Sequence, residues 1–201
     1  PLASRTAVAA RADLLITSLA TVAALDEASA KIAAAKRSRS RPRLIVIETS
    51  TLPIGDKERA MRRLQRARIT LLDCPISGTA VRMKQGAWTI FGSGSAAACK
   101  RATPVFGVFT RNAPYVGAFG NGTRMKLIAN HLVAIHNVAV AESLTFARKM
   151  GLDPQRVWKL FAASPVVGSG VFKLRGKFMV ERKYLPATMK VEVWQQDMQV
   201  I

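Results

Sequence analysis

Up to about residue 118 the apolar positions of this chain fall in short runs separated by polar, glycine- and proline-bearing stretches. After it they recur at helical spacing over long distances. Ala12-Asp-Leu-Leu-Ile-Thr-Ser-Leu19 predicts a short buried strand, and Thr21 to Ala35 an alanine-rich helix. Leu44-Ile-Val-Ile-Glu48 sets β-branched and apolar residues on consecutive positions, as a strand does when both sheet faces are covered. A helix over 55–67, a strand over Ile69–Asp73, a strand over Trp88–Phe91, a helix over 95–106 and a short strand over 113–116 follow. Strands alternating with helices imply α/β architecture with a parallel, doubly wound sheet. From Gly117 onward only helices are expected: one long helix to Met150, then segments at 155–163, 170–180 and 187 to the end. Gly151 suits the left-handed residue after a helix, and Asp153-Pro154 supplies the next N-cap and first-turn proline. The boundary between the two parts is placed at 118, giving domains of 1–118 and 119–201.

The long helix is the stretch around which the chain is organised. On a 3.6-residue wheel Lys126, Asn130, Val133 and Asn137 share a narrow stripe, while Leu127, Ile128, Leu132, Ile135, Val138, Ala139 and Leu144 spread over the other faces. Such a helix is expected to be buried nearly all round. Its polar residues then need partners, because an unpaired buried polar group is costly. Lys126 itself reads in two ways: a side chain that snorkels to water near the helix start, or an amine that exchanges a proton with a substrate.

Composition narrows this picture. A chain of 201 residues with 49% hydrophobic content can bury a real core. No uninterrupted apolar run approaches the roughly 20 residues of a membrane span, and the N-terminus lacks a signal peptide's pattern, so a cytoplasmic protein is expected. Cys74 and Cys99 show no CxxC or His spacing, which favours reduced thiols and no metal site. The start at Pro1 suggests a fragment or processed product. A formal charge of +19, concentrated in 36–43, 59–68 and 173–183, raises the question of nucleic acid. Those clusters are not interleaved with aromatics, and no zinc finger, RNP motif or basic zipper occurs. Weak, salt-sensitive attraction to polyanions is the expectation, without sequence specificity.

In a doubly wound sheet the ligand lies across the carboxyl ends of the strands. That rule selects Leu19-Ala20-Thr21, Glu48-Thr-Ser-Thr51 and Asp73-Cys-Pro-Ile-Ser77-Gly78-Thr79 as one rim. The small residues of Ser77-Gly78-Thr79 leave backbone N–H groups uncovered, which suits an anion such as a carboxylate; alone, such a sequence is more often a simple turn. The combination is more specific. Asp73-x-Pro75-Ile-Ser77-Gly78-Thr79, then Gly86-x-x-Thr89-Ile90, then Gly117-x-x-Gly120-x-Gly122-x-x-x-Lys126-x-x-x-Asn130 resembles the β-hydroxyacid dehydrogenase family, which includes 3-hydroxyisobutyrate dehydrogenase, tartronate semialdehyde reductase and 6-phosphogluconate dehydrogenase. The resemblance extends over essentially the whole chain.

It implies a partial Rossmann-type domain followed by an all-helical substrate and dimerisation domain, with NAD or NADP as cofactor and a small hydroxy acid as substrate. Lys126 matches the lysine that takes the hydroxyl proton as hydride leaves, and Asn130 the asparagine that helps hold the substrate. Ser77, Gly78 and Thr79 match the carboxylate loop. Leu19, Ala20 and Thr51 match cofactor-contacting positions. Two departures stand out. The family's Gly-x-Gly-x-x-Gly turn after a first strand is not found, so at least one βαβ unit is expected to be absent; and Gln196 of Trp194-Gln-Gln196-Asp197 stands where a lysine near the cofactor is usual. Ala20 also replaces a usual proline. Weak or no turnover by this chain is therefore expected, with a homo-oligomer as its assembly. The alternative is a dehydrogenase-like remnant that binds a small carboxylate or polyanion without catalysis.

Overall fold

The computed structural model describes residues 4–35, 42–78, 86, 88–187 and 191–201. They divide into two compact units, one of residues up to 127 and one of residues 128–199, with Val200 assigned to the first and Ile201 to the second.

The first unit starts with α1 (Arg5–Arg11), β1 (Leu14–Thr17), α2 (Val22–Ala33), β2 (Ile45–Glu48), α3 (Ile54–Arg66) and β3 (Thr70–Asp73). The three strands pair in the order β1-β2-β3, all parallel, with Leu15, Val46 and Leu71 in register. Parallel neighbours need crossovers, and α2 and α3 are those crossovers. Alternate side chains of the sheet feed two cores. Leu44, Val46 and Leu71 join Leu25, Ile32, Ala60 and Leu64 of α2 and α3 on one face. On the other, Ile45, Ile47 and Leu72 join Ala98, Cys99, Ala102 and Phe106 of α4 (Ala96–Phe109). With both faces covered, all four residues of β2 are buried, which is why its sequence does not alternate.

Two expectations change here. The strand at Trp88–Phe91 contracts to β5 (Thr89–Ile90), which pairs antiparallel with the short β4 (Ile76–Ser77) and stays out of the parallel sheet. Residues 113–116 form no strand: Asn112 and Tyr115 make single parallel bridges to Thr89 and Gly92. Pro114, which has no N–H to give, removes one ladder donor from the 113–116 segment.

The second unit contains most of α5 (Asn121–Lys149), with α6 (Pro154–Ala162), α7 (Gly170–Glu181) and α8 (Val191–Gln199). Asp153 caps α6 by accepting from the N–H groups of Gln155 and Arg156, and Gly151 takes φ +76°, both as the sequence implied. Its core is small: Val140, Leu144 and Phe172, flanked by Trp158 and Ala162. Gly176 matters there, since a Cβ would stand 2.9 Å from the Trp158 ring.

The expectation that α5 is buried all round fails. Ile128, Leu132, Ile135 and Val138 are about half exposed or more. These residues lie three or four apart and form an outward apolar stripe, opposite in effect to the burial inferred from the helical wheel. The helix also holds an 18-residue window of mean hydropathy 1.2, long and apolar enough on those measures to cross a membrane. No uninterrupted run announces this in the sequence, because scattered polar residues such as Asn130, His131, His136 and Asn137 break the run while the apolar residues around them keep the mean at 1.2.

Candidate active site

The carboxyl ends of β1, β2 and β3 form the rim that the parallel topology dictates, and hydrogen bonds knit its loops together. Thr49 donates to the Thr17 carbonyl through both its N–H and its hydroxyl, each at 2.9 Å. The Leu19 N–H donates to Ser50 Oγ at 2.6 Å, and the Cys74 N–H to the Glu48 carbonyl at 2.8 Å. Leu19 and Thr51 are half-buried and Ala20 is exposed.

Behind the rim lies a closed set of charges. Lys57, on α3, is 1% exposed. Its ammonium donates to Asp73 Oδ1 at 2.8 Å and the Ser50 carbonyl at 2.5 Å, and stands 2.7 Å from Glu48 Oε2 as an ion pair. Two hydrogen bonds and one ion pair thus hold the buried ammonium, and its two carboxylate neighbours supply the counter-charge a buried lysine needs, although among the described residues Glu48 Oε2 accepts no hydrogen bond. Glu48 Oε1 accepts from the Ser50 N–H at 2.9 Å. Asp73 turns its carboxylate to the start of α5, where Oδ2 accepts from the Thr123 N–H at 2.8 Å and Oδ1 from the Thr123 hydroxyl at 2.7 Å. Ser93 donates to the Asp73 carbonyl at 2.8 Å and accepts from the Gly122 N–H at 3.0 Å.

Sequence reasoning did not single out Lys57, Glu48, Ser93 or Thr123. A signal for the first existed: Lys57, Ala60 and Leu64 are the buried stripe of α3, so a lysine occupies a core position facing the acidic ends of two buried strands.

The sequence-derived candidates fall as follows. Ser77 is half-buried on β4, and Gly78 is exposed with φ +148°, a backbone that favours glycine. Thr79 lies outside the described residues. Lys126 is half-buried near the start of α5. Asn130, one turn on, is 5% exposed and donates to Asp197 Oδ2 at 3.0 Å, a pairing the sequence did not suggest. Gln196 is on α8, and its side chain lies outside what is described. The two thiols are poor nucleophiles: burial pushes Cys74 far up and Cys99 to about 11, which leaves neither ionised at neutral pH.

Fit to a dinucleotide is partial. Among the described residues Thr17 Oγ1 is buried without a hydrogen-bond partner at the end of β1, next to a largely apolar cavity of about 240 Å³ whose lining includes Leu15, Ile16, Thr17, Ser18, Leu19 and Ile32. A hydroxyl so placed suits a polar group of a bound ligand. The glycine turn Gly92-Ser-Gly94, which precedes α4, cannot cradle phosphates. Its three N–H groups already donate to the carbonyls of Pro114, Asp73 and Gly117.

Residues 1–117 match the family model described as the NAD binding domain of 6-phosphogluconate dehydrogenase, and residues 120–201 that described as NAD-binding of NADP-dependent 3-hydroxyisobutyrate dehydrogenase. The chain belongs to the β-hydroxyacid dehydrogenase family. It is 28% identical over 153 residues to 2-hydroxy-3-oxopropionate reductase of Escherichia coli, covering 76% of this chain and 52% of the reductase. It is 29% identical over 202 residues to L-threonate dehydrogenase of Cupriavidus necator, covering 100% and 67%. The chain thus spans about half the length of the first relative and two thirds of the second. Among solved structures, 3-hydroxyisobutyrate dehydrogenase from Salmonella typhimurium superposes with a TM-score of 0.80 at 26% identity, covering 98% of this chain and 68% of that one. The Mycobacterium tuberculosis 3-hydroxyisobutyrate dehydrogenase, at 0.86 and 21%, with the same coverage, shares the fold. The fold is that of a Rossmann-type dehydrogenase with a helical region after it.

Proposed function

We propose that this family member serves NAD(P)-dependent interconversion of a small β-hydroxy acid and its oxo acid. Residues 1–118 form the dinucleotide-binding part and 119–201 the substrate and assembly part. One observation carries the reading: the two stretches on which the resemblance rests, the Asp73-to-Gly78 loop and the glycine-rich start of the Lys126 helix, are hydrogen bonded to each other through Asp73 and Thr123. Bound NAD(P) supplies the hydride acceptor or donor. Lys126 takes the hydroxyl proton in oxidation and returns it in reduction, while Ser77, Gly78 and Thr79 hold the carboxylate and Asn130 helps orient the substrate. Leu19, Ala20, Thr51 and Gln196 contact the cofactor. Two buried free thiols suit a reducing, cytoplasmic setting.

We further read the Ile128, Leu132, Ile135 and Val138 stripe as the seat of a second copy of this chain, since a long helix with a self-complementary apolar stripe is the usual material of a two-fold interface.

No Gly-x-Gly-x-x-Gly follows a strand in this sequence, and losing two or three charge-assisted phosphate contacts, about 1.5 to 3 kcal/mol each, weakens binding by orders of magnitude. For these 201 residues alone we therefore expect weak turnover. Calorimetric titration of NAD and NADP into the chain, beside a fusion carrying a relative's N-terminal βαβ unit, tests this. The fusion should bind and oxidise small hydroxy acids, and Lys126→Met should abolish oxidation without abolishing binding. Micromolar binding by the chain alone would overturn the expectation of weak activity. Failure of both proteins would favour the second reading, a non-catalytic binder of polyanions drawn by the +19 charge.

A further inference from the structure

The start of α5 is held differently from the other capped helices. Helices α1, α2, α4, α6 and α7 are each capped by the side chain of their own N-cap residue: Ser4, Thr21, Ser95, Asp153 and Ser169. In α5 the Asn121 N–H donates to the Ala118 carbonyl and the Arg124 N–H to that of Gly120. The two amides between them are taken by side chains distant in sequence. Gly122 donates to Ser93 Oγ, 29 residues away, and Thr123 to Asp73 Oδ2, 50 residues away. A local cap stabilises a helix wherever the helix sits. A distant cap also fixes where it sits.

The backbone has been shaped to permit this. A Cβ at Gly122 would stand 2.5 Å from the Phe91 carbonyl oxygen and 2.6 Å from that of Asp73, so only glycine lets the first turn press onto the β3 exit. Asp73 is itself immobilised, since Lys57 holds one carboxylate oxygen and Ser93 bonds its main chain. Through Lys57 and Ser50 the same set reaches the Leu19 N–H at the end of β1. Lys126 lies one turn beyond Thr123, about 4.5 Å along a rigid helix, and Ser77 lies four residues beyond Asp73.

We propose that Asp73 and Thr123 are positioning residues for Lys126, clamping the first turn of α5 to the β3 exit so that the amine keeps a fixed place relative to the Ser77-Gly78 loop. The proposal rests on the proton-transfer role proposed for Lys126. Its logic is that proton transfer demands a defined donor–acceptor distance, and a helix start that could slide would not provide one. Asp73 also puts a carboxylate at the positive end of a 29-residue helix, where it is electrostatically favoured.

The test uses the full chain with reductively ¹³C-methylated lysines, the Lys126 signal being assigned by its loss in Lys126→Arg. Thr123→Val, which removes the hydroxyl bond and keeps the shape, should raise hydrogen exchange at the 122–124 amides about tenfold. It should also move the Lys126 signal and its titration midpoint, while leaving the Ile45–Ile47 amides unchanged; Thr123→Ser should restore both. Asp73→Asn should act in the same direction and more strongly; should it not fold, the Thr123 pair decides alone. In a cofactor-binding fusion Thr123→Val should lower kcat with little change in KM. Faster exchange with an unmoved Lys126 signal would reduce Asp73 to an ordinary helix cap and overturn the proposal, as would no change in either. Absence of hydride transfer in the unmutated fusion would count against the functional reading, while the exchange rates and the lysine signal would still decide positioning by themselves.

Discussion

The two units bury their apolar residues to different degrees, and the reason is the number of faces each element must cover. In the first, Ile45 and Leu72 are fully buried and Leu64 is 1% exposed, because helices lie on both faces of a parallel sheet. In the second, Val140, Leu144 and Phe172 form the core, while Phe146 and Leu160 remain 64% and 63% exposed. A helix needs one apolar stripe, and these helices carry more than one. The excess leaves large apolar side chains facing outward from their own unit.

The contrast is most severely tested at Lys57. Lys57→Met leaves Glu48 and Asp73, both 0% exposed, without a counter-charge. Breaking such a buried pair costs about 3 to 5 kcal/mol, read as a lower denaturant midpoint. The double variant Lys57→Met with Glu48→Gln should recover part of the loss, since it removes one of the stranded charges. An unchanged midpoint in the single variant would mean that water reaches the charges, and that the interior of the first unit is not closed there.

Next come matched core deletions. Leu72→Ala, in the fully buried strand, should cost about 2 to 5 kcal/mol, whereas Leu160→Ala should stay within about 0.5 kcal/mol because little of that side chain leaves water on folding. Equal losses would erase the distinction between the units. Ile135→Glu, on the exposed stripe, should likewise leave monomer stability nearly unaltered but lower the mass seen by analytical ultracentrifugation, if a second copy sits there. An unaltered assembly would move the interface elsewhere.

How much of this was legible in the sequence follows the same division. Ile45, Val46 and Ile47 declared a doubly covered strand because three consecutive apolar positions leave no solvent face. Asp153-Pro154 declared a helix start because both residues act on their immediate neighbours. The spacing of Lys126 and Asn130 put both on one stripe of a long helix because one helical turn is a local ruler. Long-range pairings escaped: nothing near Asp73 announces Thr123, and nothing near Asn130 announces Asp197. The outward stripe of α5 escaped for another reason, since hydrophobicity tells that a face will be covered and not by what. The antiparallel pairing of β4 with β5 was lost because two-residue strands carry no periodicity.

The smallest expected effect sharpens the comparison furthest, because it holds distance constant. Lys31 approaches Glu27 Oε1 at 2.6 Å, as closely as Lys57 approaches its carboxylates, yet both side chains of that pair are about half exposed. Water screens the attraction, and two long side chains must be ordered to make it, so an i,i+4 surface pair contributes about 0.3 to 0.5 kcal/mol. Lys31→Ala should therefore shift the denaturant midpoint barely beyond error, and about 0.5 M salt should abolish even that difference, whereas salt should do little to the Lys57 variant. The two lysines differ in what surrounds the contact and not in its length. Should Lys31→Ala prove as damaging as Lys57→Met, burial would not be the quantity that separates them, and the special standing of the Glu48–Lys57–Asp73 set would fall with it.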